Sequence, residues 1–270
     1  MSEVFLFGSP VAHSLSPALH NAAFKALGMP HRYATREVSA ERFADAVMAL
    51  RGADVLGANV TIPHKEAAVR LVDDLADEVR ATGALNTIVR RGSRLAGANT
   101  DVAGFDAALR TDRGELLSGA VVLLLGAGGA ARACAYALLR RRNDVLVANR
   151  SSERLEKLVH SLEIGGRRPR AVPWPKRGER LAVDGVVNAT PLGMSGEDPL
   201  EGVELPRVVV DIVPTSEMTP LVKRARAAEN VAVVDGLAML LHQAARSFEL
   251  WTGVAAPVAV MRAALPPRPV

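Results

Sequence analysis

Residues 120–134 read AVVLLLGAGGAARAC, and this stretch decides the fold of the second half of the chain. The apolar run from Ala120 to Leu125 is continuous, which is typical of a strand buried on both faces of a parallel sheet. Glycines follow the run, and an alanine-rich segment with helical spacing then extends to about residue 141. The stretch therefore predicts a strand, a tight glycine turn and a helix, the first half of a βαβ unit.

The glycine turn has the spacing Gly126-x-Gly128-x-x-Ala131. In such a turn the first glycine permits the bend, the second lets the backbone approach a pyrophosphate, and a small third residue lets the helix pack on the sheet. The helix N-terminus adds unpaired N–H groups and a positive dipole end. A merely tight turn is the alternative, but the flanking strand and helix favour a dinucleotide. The predicted contacts are Gly126, Ala127, Gly128, Gly129 and Ala130.

The end of the next strand discriminates between NAD and NADP. An acidic residue about 20 positions after the glycines would bind the free ribose 2′-hydroxyl of NAD. The sequence there reads Asn149-Arg150-Ser151, without a carboxylate, and Arg154 follows one turn later. A guanidinium beside amide and hydroxyl groups suits the 2′-phosphate of NADP. The alternative is that Asn149 or Ser151 only caps the next helix while Arg150 is exposed to solvent; NADP is the prediction.

Strand and helix patterns alternate on both sides of this turn, so the predicted fold class is α/β. The predicted strands are 4–7, 55–62, 85–90, 94–98, 120–125, 146–148, 183–188, 208–212 and 231–234, the third and fourth forming a hairpin. One helix is predicted to begin after a cap at Ser16 and to end at Gly28, and another follows the glycine turn and ends near residue 141. The other predicted helices are 40–50, 64–76, 151–162, 216–228, 236–250 and 255–264. With 270 residues, two lobes are expected.

Composition excludes several classes of function. The net charge is +4 with a pI of about 9.6, and the arginines are scattered, which favours a solvated basic face over a nucleic-acid surface. The aromatic share of 4% argues against a stacking platform for single strands. Cys134 is the only cysteine, and His13, His20 and His64 lack a metal-ligand spacing, so neither a disulfide nor a metal is predicted. No signal peptide or long apolar run is present, which predicts a cytoplasmic protein without a membrane segment.

Polar side chains recur at the predicted βα junctions of the first lobe. They are Ser14, Ser16, Asn59, Thr61, Lys65, Asn86, Asn99 and Asp101. Taken singly, each has a simpler explanation as a helix cap, a turn residue or a surface lysine. Such junctions open at one edge of an α/β sheet, where side chains distant in sequence converge on one ligand. Together they predict a site for a small polyhydroxylated acid.

Several motifs resemble those of shikimate dehydrogenases. They are GSPVAHSLSPALHN at 8–21, NVTIPHK at 59–65, GALNT at 83–87, NTD at 99–101, NATPLGM at 188–194 and GLAMLLHQ at 236–243. The resemblance covers nearly the whole chain in order and spacing. It implies reversible NADP-linked reduction of 3-dehydroshikimate to shikimate in aromatic amino-acid (chorismate) biosynthesis. It also implies a discontinuous substrate-binding and catalytic domain, residues 1–101 completed by C-terminal helices 236–270, and a Rossmann-type NADP-binding domain, residues 102–235.

The resemblance also assigns roles to residues. It implies that Lys65 and Asp101 are the catalytic pair, which agrees with the chemistry, because an ammonium can stabilise and protonate the alkoxide that hydride delivery to a ketone creates. It implies that Ser14 and Ser16 bind the substrate carboxylate. The implied ligands of the ring hydroxyls and carboxylate are Asn59, Thr61, Asn86 and Gln243. The implied contacts on the nicotinamide side are Thr190, Met194, Ile212, Gly236 and Met239, with core packing as the alternative for each methionine.

One position departs from the family pattern. Pro214 stands where the family commonly has a tyrosine near substrate, which leaves affinity and the preferred ring acid open. One alternative function is a quinate/shikimate dehydrogenase of broader substrate or NAD use. A more remote one is a non-catalytic NADP-binding paralogue on the same scaffold. The expected partners are small molecules only, and both a monomer and a homodimer remain open.

Overall fold

The computed structural model describes residues 1–52, 54–111, 114–178 and 182–268, and the chain divides into two compact units. The first unit comprises Met1–Gly104 and Leu241–Val270, and the second comprises Phe105–Leu240. None of the helices in the described part of the chain combines the length and apolar character needed to cross a bilayer.

The strands are β1 (Ser2–Gly8), β2 (His31–Glu37), β3 (Val55–Val60), β4 (Asp74–Leu75), β5 (Thr87–Arg91), β6 (Arg94–Ala98), β7 (Arg110–Thr111), β8 (Gly114–Glu115), β9 (Val121–Leu125), β10 (Asp144–Asn149), β11 (Arg170–Pro173), β12 (Gly185–Asn188), β13 (Val208–Asp211) and β14 (Ala232–Val234). The α-helices are α1 (Ser16–Ala26), α2 (Phe43–Met48), α3 (Asp77–Thr82), α4 (Thr100–Ala108), α5 (Gly129–Arg140), α6 (Ser152–Ser161), α7 (Pro220–Ala227), α8 (Gly236–Thr252) and α9 (Val258–Ala263). Short 3₁₀ helices lie at Ala49–Arg51, Ala67–Arg70 and Trp174–Gly178.

The sheet of the first unit has the strand order β2-β1-β3-β5-β6-β4. β1 pairs in parallel with β2 and β3, whereas β5 is antiparallel to both β3 and β6. Because β5 runs against its neighbours, its first residue, Thr87, pairs with Asn59 near the end of β3 and with Ala98 at the end of β6. One edge of the sheet therefore gathers the end of β3, the start of β5 and the start of α4.

The sheet of the second unit has the order β11-β10-β9-β12-β13-β14, with every neighbouring pair parallel. Ranked along the chain this is 3-2-1-4-5-6, the order of dinucleotide-binding sheets, in which the ligand lies outside the carboxyl ends where the order reverses. The reversal falls between β9 and β12. Val122, Leu124 and Leu125 of β9 are fully buried, as a central strand covered on both faces requires. The α/β prediction and the Rossmann-type sheet are confirmed.

The predicted helix over 64–76 is wrong. The segment forms the 3₁₀ helix Ala67–Arg70 and the short strand β4, and the helix α3 follows at Asp77. Val72 and Leu75 pack where the backbone of Gly97 comes close, since a Cβ on Gly97 would lie 3.1 Å from Val72 Cγ2 and 3.6 Å from Leu75 Cδ2. The spacing of Val72 and Leu75 therefore reflects packing against β6 and not one face of an α-helix.

Sequence patterns also missed the outer strands β2 and β11. Each lies at the edge of its sheet, so neither shows a buried apolar run. β2 is rich in exposed polar residues, and three of the four residues of β11 are exposed. The expected cap on α1 differs too, because the helix begins at Ser16, with Leu15 at the N-cap position and no side-chain capping bond. Gly28 does close this helix, with a φ of +63°.

Candidate active site

Lys65 and Asp101 form a buried ion pair in the first unit. Lys65 Nζ lies 2.5 Å from Asp101 Oδ2, and the two side chains are 13% and 6% exposed. Lys65 follows the turn after β3, and its carbonyl accepts a hydrogen bond from the Leu85 N–H at 2.9 Å. Asp101 lies in the first turn of α4, where a carboxylate is favoured by the helix dipole. Removing either partner would leave the other charge buried and unpaired, which is strongly destabilising.

Asn86 holds the second oxygen of Asp101. Its Nδ2 donates to Asp101 Oδ1 at 2.8 Å and lies 3.3 Å from Gln243 Oε1. Its Oδ1 accepts from the Thr100 backbone N–H at 2.7 Å. Both Asp101 oxygens are thus engaged, one by an ammonium and one by an amide, so the carboxylate is fixed in orientation.

Asn59 is buried, and its side chain is hydrogen-bonded to other residues of the first unit. Its Oδ1 accepts from the Tyr33 hydroxyl at 2.8 Å, and its Nδ2 donates to the Asn86 carbonyl at 3.0 Å. Burial raises the pKa of Tyr33, and the Ser16 hydroxyl, bonded to that phenol, opposes the shift. The Tyr33 phenol is therefore a neutral donor at physiological pH.

The other predicted substrate ligands are Ser14, which lies between β1 and α1, Thr61, which follows β3, and Gln243, which lies on α8. Ser14 is half-buried, and its Oγ accepts from the Ser16 N–H at 3.2 Å. Thr61 is half-buried just past β3, where a Cβ on Gly8 would lie 2.3 Å from its methyl carbon. Gln243 lies in α8 at a close crossing with α4, since a Cβ on Gly104 would lie 2.8 Å from the Gln243 backbone nitrogen.

Sequence reasoning missed several polar residues of this cluster. Tyr33, Thr87, Thr100 and Ser247 are all buried and all hydrogen-bonded to predicted ligands. Thr87 and Thr100 stand inside quoted motifs, so the motifs held a signal for them. The sequence holds no signal for Ser247, because a single serine in a predicted helix is most simply explained as a surface or capping residue.

The second unit offers a cradle at the turn from β9 to α5. Gly126 has a φ of +114°, and a Cβ there would lie 2.7 Å from the Ala189 carbonyl oxygen. Gly128 is the N-cap of α5, and no atom lies within 4 Å of the place where its Cβ would be. The α5 N-terminus has neither a side-chain cap nor an acidic residue in its first turn. Open space at exposed N–H groups fits a pyrophosphate.

Asn149 is the last residue of β10, and Arg150, Ser151 and Arg154 follow it at the start of α6. Asn149 Nδ2 donates to the Ser151 carbonyl at 2.9 Å, and Ser151 Oγ accepts from the Arg154 N–H at 3.3 Å as the N-cap of α6. Both guanidinium groups are exposed, and neither forms an ion pair with another described residue. Capping and phosphate binding are compatible, since the capping bond uses an Oγ lone pair and leaves both arginines available.

Strand ends on the other side of the reversal point form a buried polar network. Asp211 is fully buried and accepts from Thr219 Oγ1 at 2.6 Å and Asn188 Nδ2 at 3.0 Å. Burial raises the pKa of Asp211 to about 6, although the hydrogen bonds from Thr219, Val213 and Asn188 oppose the shift. Asn188 Oδ1 also accepts from Thr190 Oγ1 at 2.7 Å, which fixes the loop that leads to Met194.

The remaining predicted nicotinamide contacts differ in exposure. Met194 is 60% exposed, whereas Met239 is 6% exposed and lies in the core. Ile212 is half-buried, and Gly236 is packed so closely that a Cβ would lie 2.3 Å from the Val213 carbonyl oxygen. Pro214 is exposed. In the described part of the chain, no group of three His, Cys, Asp or Glu side chains could hold a metal ion.

The parallel sheet with its glycine cradle and the separate lysine–aspartate cluster define a class, the two-unit dinucleotide-dependent oxidoreductases. Comparison with known protein families identifies the family within this class. Residues 6–88 match the shikimate dehydrogenase substrate binding domain, residues 108–190 match shikimate/quinate 5-dehydrogenase, and residues 236–265 match the shikimate 5′-dehydrogenase C-terminal domain. The chain belongs to the shikimate dehydrogenase family.

Individual relatives are similar over nearly their full length. The shikimate dehydrogenase (NADP(+)) of Salinibacter ruber is 41% identical, covering 97% of this chain and 96% of the relative. That of Symbiobacterium thermophilum is 45% identical, with 96% and 92% covered. The crystal structure of shikimate 5-dehydrogenase from Thermus thermophilus, in complex with NADP(H) and shikimate, has a TM-score of 0.83 at 35% identity, with 98% of each chain covered.

Proposed function

We propose that this chain catalyses the reversible NADPH-linked reduction of 3-dehydroshikimate to shikimate, with Lys65 and Asp101 as its catalytic residues. The observation that carries the proposal is the buried ion pair, with Lys65 Nζ 2.5 Å from Asp101 Oδ2. A lysine held this way is an acid of fixed position. Relatives named shikimate dehydrogenase (NADP(+)) at 41% and 45% identity support the substrate and the cofactor.

When bound, NADPH supplies the hydride that reduces the substrate carbonyl carbon. The Lys65 ammonium stabilises the negative charge that develops on the carbonyl oxygen and donates a proton from Nζ to it, which yields the alcohol and a neutral amine. Solvent then returns a proton to Lys65. Asp101 Oδ2 keeps the ammonium in place, and Asn86 keeps Asp101 in place through Oδ1.

We assign substrate recognition to polar side chains of the first unit. Ser14 and Ser16 are the proposed partners of the substrate carboxylate; Ser14 Oγ accepts the Ser16 N–H, so its own proton can be donated. The proposed ligands of the ring hydroxyls and carboxylate are Asn59, Thr61, Asn86 and Gln243. Because Asn59 and Asn86 already have protein partners, they contribute chiefly by holding their neighbours, and a substrate hydroxyl shares their remaining hydrogen-bonding capacity.

NADP binding is assigned to the second unit. Residues 126–130 take the pyrophosphate at the α5 N-terminus, and Asn149, Arg150, Ser151 and Arg154 take the 2′-phosphate. Two exposed guanidinium groups beside a capped helix start support this assignment. The proposed nicotinamide contacts are Thr190, Met194, Ile212, Gly236 and Met239. We propose residues 1–101 with 236–270 as the substrate domain and residues 102–235 as the NADP domain; the two compact units divide slightly differently, after Gly104 and after Leu240, so Gly236 and Met239 lie in the second unit.

The test is Lys65→Ala, assayed by the absorbance of NADPH with shikimate as substrate, with thermal unfolding to establish that the variant is folded despite the unpaired Asp101. We expect kcat to fall about 10²- to 10⁴-fold while NADP affinity stays unchanged, because general acid–base catalysis is lost and the cradle is intact. Lys25→Ala, an exposed lysine of the same unit, is the matched control and should keep full activity. Near-normal kcat with only a raised KM would remove Lys65 from this role.

The same assay separates the proposed function from its alternatives. Rates with shikimate and with quinate, each with NADP and NAD, should be highest for shikimate with NADP. Faster quinate oxidation with NAD would favour the broader dehydrogenase, for which the absent tyrosine at Pro214 is the relevant departure. NADP binding without turnover on either ring acid would favour the non-catalytic paralogue.

We further propose a cytoplasmic protein that is a monomer or a homodimer. Its only cysteine, Cys134, is a buried free thiol, so the fold does not depend on an oxidising compartment. Light scattering of the purified chain decides between the two assemblies, and fractionation of the source cells locates it.

A further inference from the structure

Three buried hydroxyl groups form a triangle next to the proposed catalytic pair. Ser247 Oγ lies 2.9 Å from both Thr87 Oγ1 and Thr100 Oγ1, and the two threonine oxygens lie 3.2 Å apart. None of the three residues is more than 2% exposed. They come from β5, α4 and α8, so only the tertiary fold brings them together.

Two amides of the proposed site contact this hydroxyl triangle from different sides. Asn59 Nδ2 lies 3.0 Å from Thr87 Oγ1 and 3.2 Å from Ser247 Oγ, and because it also donates to the Asn86 carbonyl, its two N–H groups are shared among three acceptors. Asn86 Oδ1 accepts from Thr87 Oγ1 and from Thr100 Oγ1, both at 3.0 Å. The triangle therefore receives N–H groups from one amide and delivers O–H groups to the oxygen of the other.

Two partners of fixed role set which way the Asn86 amide points, because the Thr100 backbone N–H can only donate and the Asp101 carboxylate accepts. The two threonine hydroxyls add further bonds to the amide oxygen, and the NH₂ group faces Asp101 Oδ1 and Gln243 Oε1. A flipped amide would set its oxygen against the Asp101 carboxylate and its NH₂ against the Thr100 N–H, losing both of those bonds. Asp101 is in turn the residue that orients Lys65.

Two side chains of helix α8 act on the two ends of the Asn86 amide, its nitrogen and its oxygen. Gln243 and Ser247 are four residues apart and so lie on one helix face. Gln243 Oε1 meets the Asn86 nitrogen, and Ser247 supports the hydroxyls that bind the Asn86 oxygen. A hydroxyl on α8 thus acts on the lysine through three intermediates without touching substrate.

We infer that the Thr87–Thr100–Ser247 triangle is a positioning device that sets the Asn86 amide and, through Asp101, the Lys65 ammonium. The inference rests on the proposed function, because the quantity it controls is the geometry of that catalytic pair. It adds Ser247 and the hydroxyls of Thr87 and Thr100 to the residues on which turnover depends.

The test compares variants that differ by one group. Thr87→Val removes the hydroxyl at nearly constant shape, Thr87→Ser keeps the hydroxyl and removes the methyl, and Ser247→Ala removes the third corner. Thr82→Val is the matched control, since Thr82 is a buried threonine of the same unit whose hydroxyl contacts the Glu78 and Ala84 carbonyls and Asn99 Nδ2, whereas the triangle hydroxyls contact Asn86. The measurements are kcat and KM with shikimate, NADP affinity, and thermal unfolding.

We expect Thr87→Val and Ser247→Ala to lower kcat about tenfold, because a slightly misplaced catalytic group loses rate rather than affinity for NADP. Thr87→Ser should recover most of the loss, and Thr82→Val should lower stability without lowering kcat. If Thr87→Ser falls as far as Thr87→Val, or if the triangle variants behave like Thr82→Val, the inference is overturned. Should Ser247→Ala not fold, the Thr87 pair alone decides.

These outcomes are separate from those that test the proposed function. An active Lys65→Ala enzyme would refute the catalytic assignment whatever the triangle variants do. An inactive Lys65→Ala enzyme together with a fully active Thr87→Val enzyme would refute only the positioning device.

Discussion

Asp211 makes the stability of the second unit depend on pH in a direction opposite to that of most carboxylates. The side chain is fully buried at the end of β13, and burial raises its pKa from 3.8 to about 6. Between those two values the folded unit keeps a proton that the unfolded chain has released. Stability is therefore highest below pH 4 as far as this group is concerned, and it falls as pH rises through 6.

The size of the effect follows from the shift. Each pKa unit corresponds to about 1.4 kcal/mol, so a shift of about two units amounts to about 3 kcal/mol at neutral pH. In Asp211→Asn the group no longer titrates, although the amide still occupies the site beside Asn188 and Thr219. We expect the free energy of unfolding of the parent protein, minus that of the variant, to fall by about 3 kcal/mol between pH 4 and pH 7.

The assay must follow the second unit alone, because two units need not unfold together. The chain has two tryptophans, Trp174 in the second unit and Trp251 in the first, so fluorine NMR of fluorotryptophan-labelled protein resolves both transitions in urea. Asp184→Asn is the matched control. The Asp184 pKa is lowered from 3.8 by hydrogen bonds from the Val121 N–H and Arg207, so its stabilisation is lost only as pH falls below that value, and its difference curve should stay nearly flat from pH 4 to pH 7.

A difference between parent and Asp211→Asn that stays constant from pH 4 to pH 7 would refute the reasoning. It would mean that the three hydrogen bonds to the carboxylate offset its burial completely. A difference that rises with pH over this range would refute it more strongly, since it would require a lowered rather than a raised pKa.

Two further predictions concern His20 and the glycine cradle. The His20 ring is stacked on Tyr33 with the ring centroids 4.4 Å apart, neither ring nitrogen has a hydrogen-bond partner among the described residues, and burial lowers the His20 pKa to about 3. The first unit should therefore lose about 3 kcal/mol of stability as pH falls from 6.5 to 4.5, because the unfolded chain binds a proton that the folded unit does not. His20→Phe should abolish that loss, measured by the unfolding transition of the Trp251 signal. Gly126→Ala should lower both NADP affinity and stability, by about 1–3 kcal/mol for the latter, because of its positive φ and the nearby Ala189 carbonyl. Gly128→Ala should lower NADP affinity and leave stability unchanged, because its Cβ enters only the open space proposed for the pyrophosphate. Calorimetry measures the affinity and thermal unfolding measures the stability. Equal losses of stability in the two glycine variants would contradict this prediction.

Much of the fold could be predicted because its signals are local. The strand β9, the turn at Gly126 and the helix α5 follow one another within twenty residues, and an apolar run, a glycine and an alanine-rich helix each specify their own conformation. The hairpin of β5 and β6 was equally predictable, with Gly92 at a φ of +64°. The edge strands β2 and β11 could not be predicted, because mostly exposed residues form no buried apolar run, and β11 has only four residues.

The sequence by itself determined the two-unit α/β class, the dinucleotide turn and, through its motifs, the family. It supplied Lys65, Asp101 and Asn86 as candidates but not the bonds among them. Those bonds join side chains that packing alone brings together, as with Asn59 and Ser247, which are 188 residues apart in the chain. The tertiary structure decided that Asn59 and Asn86 are held by hydroxyls, that Asp211 and His20 are buried, and that residues 67–75 are not an α-helix. The physical reason is that hydrogen-bond partners and burial are properties of the packed chain, whereas strand and helix propensities belong to each short segment.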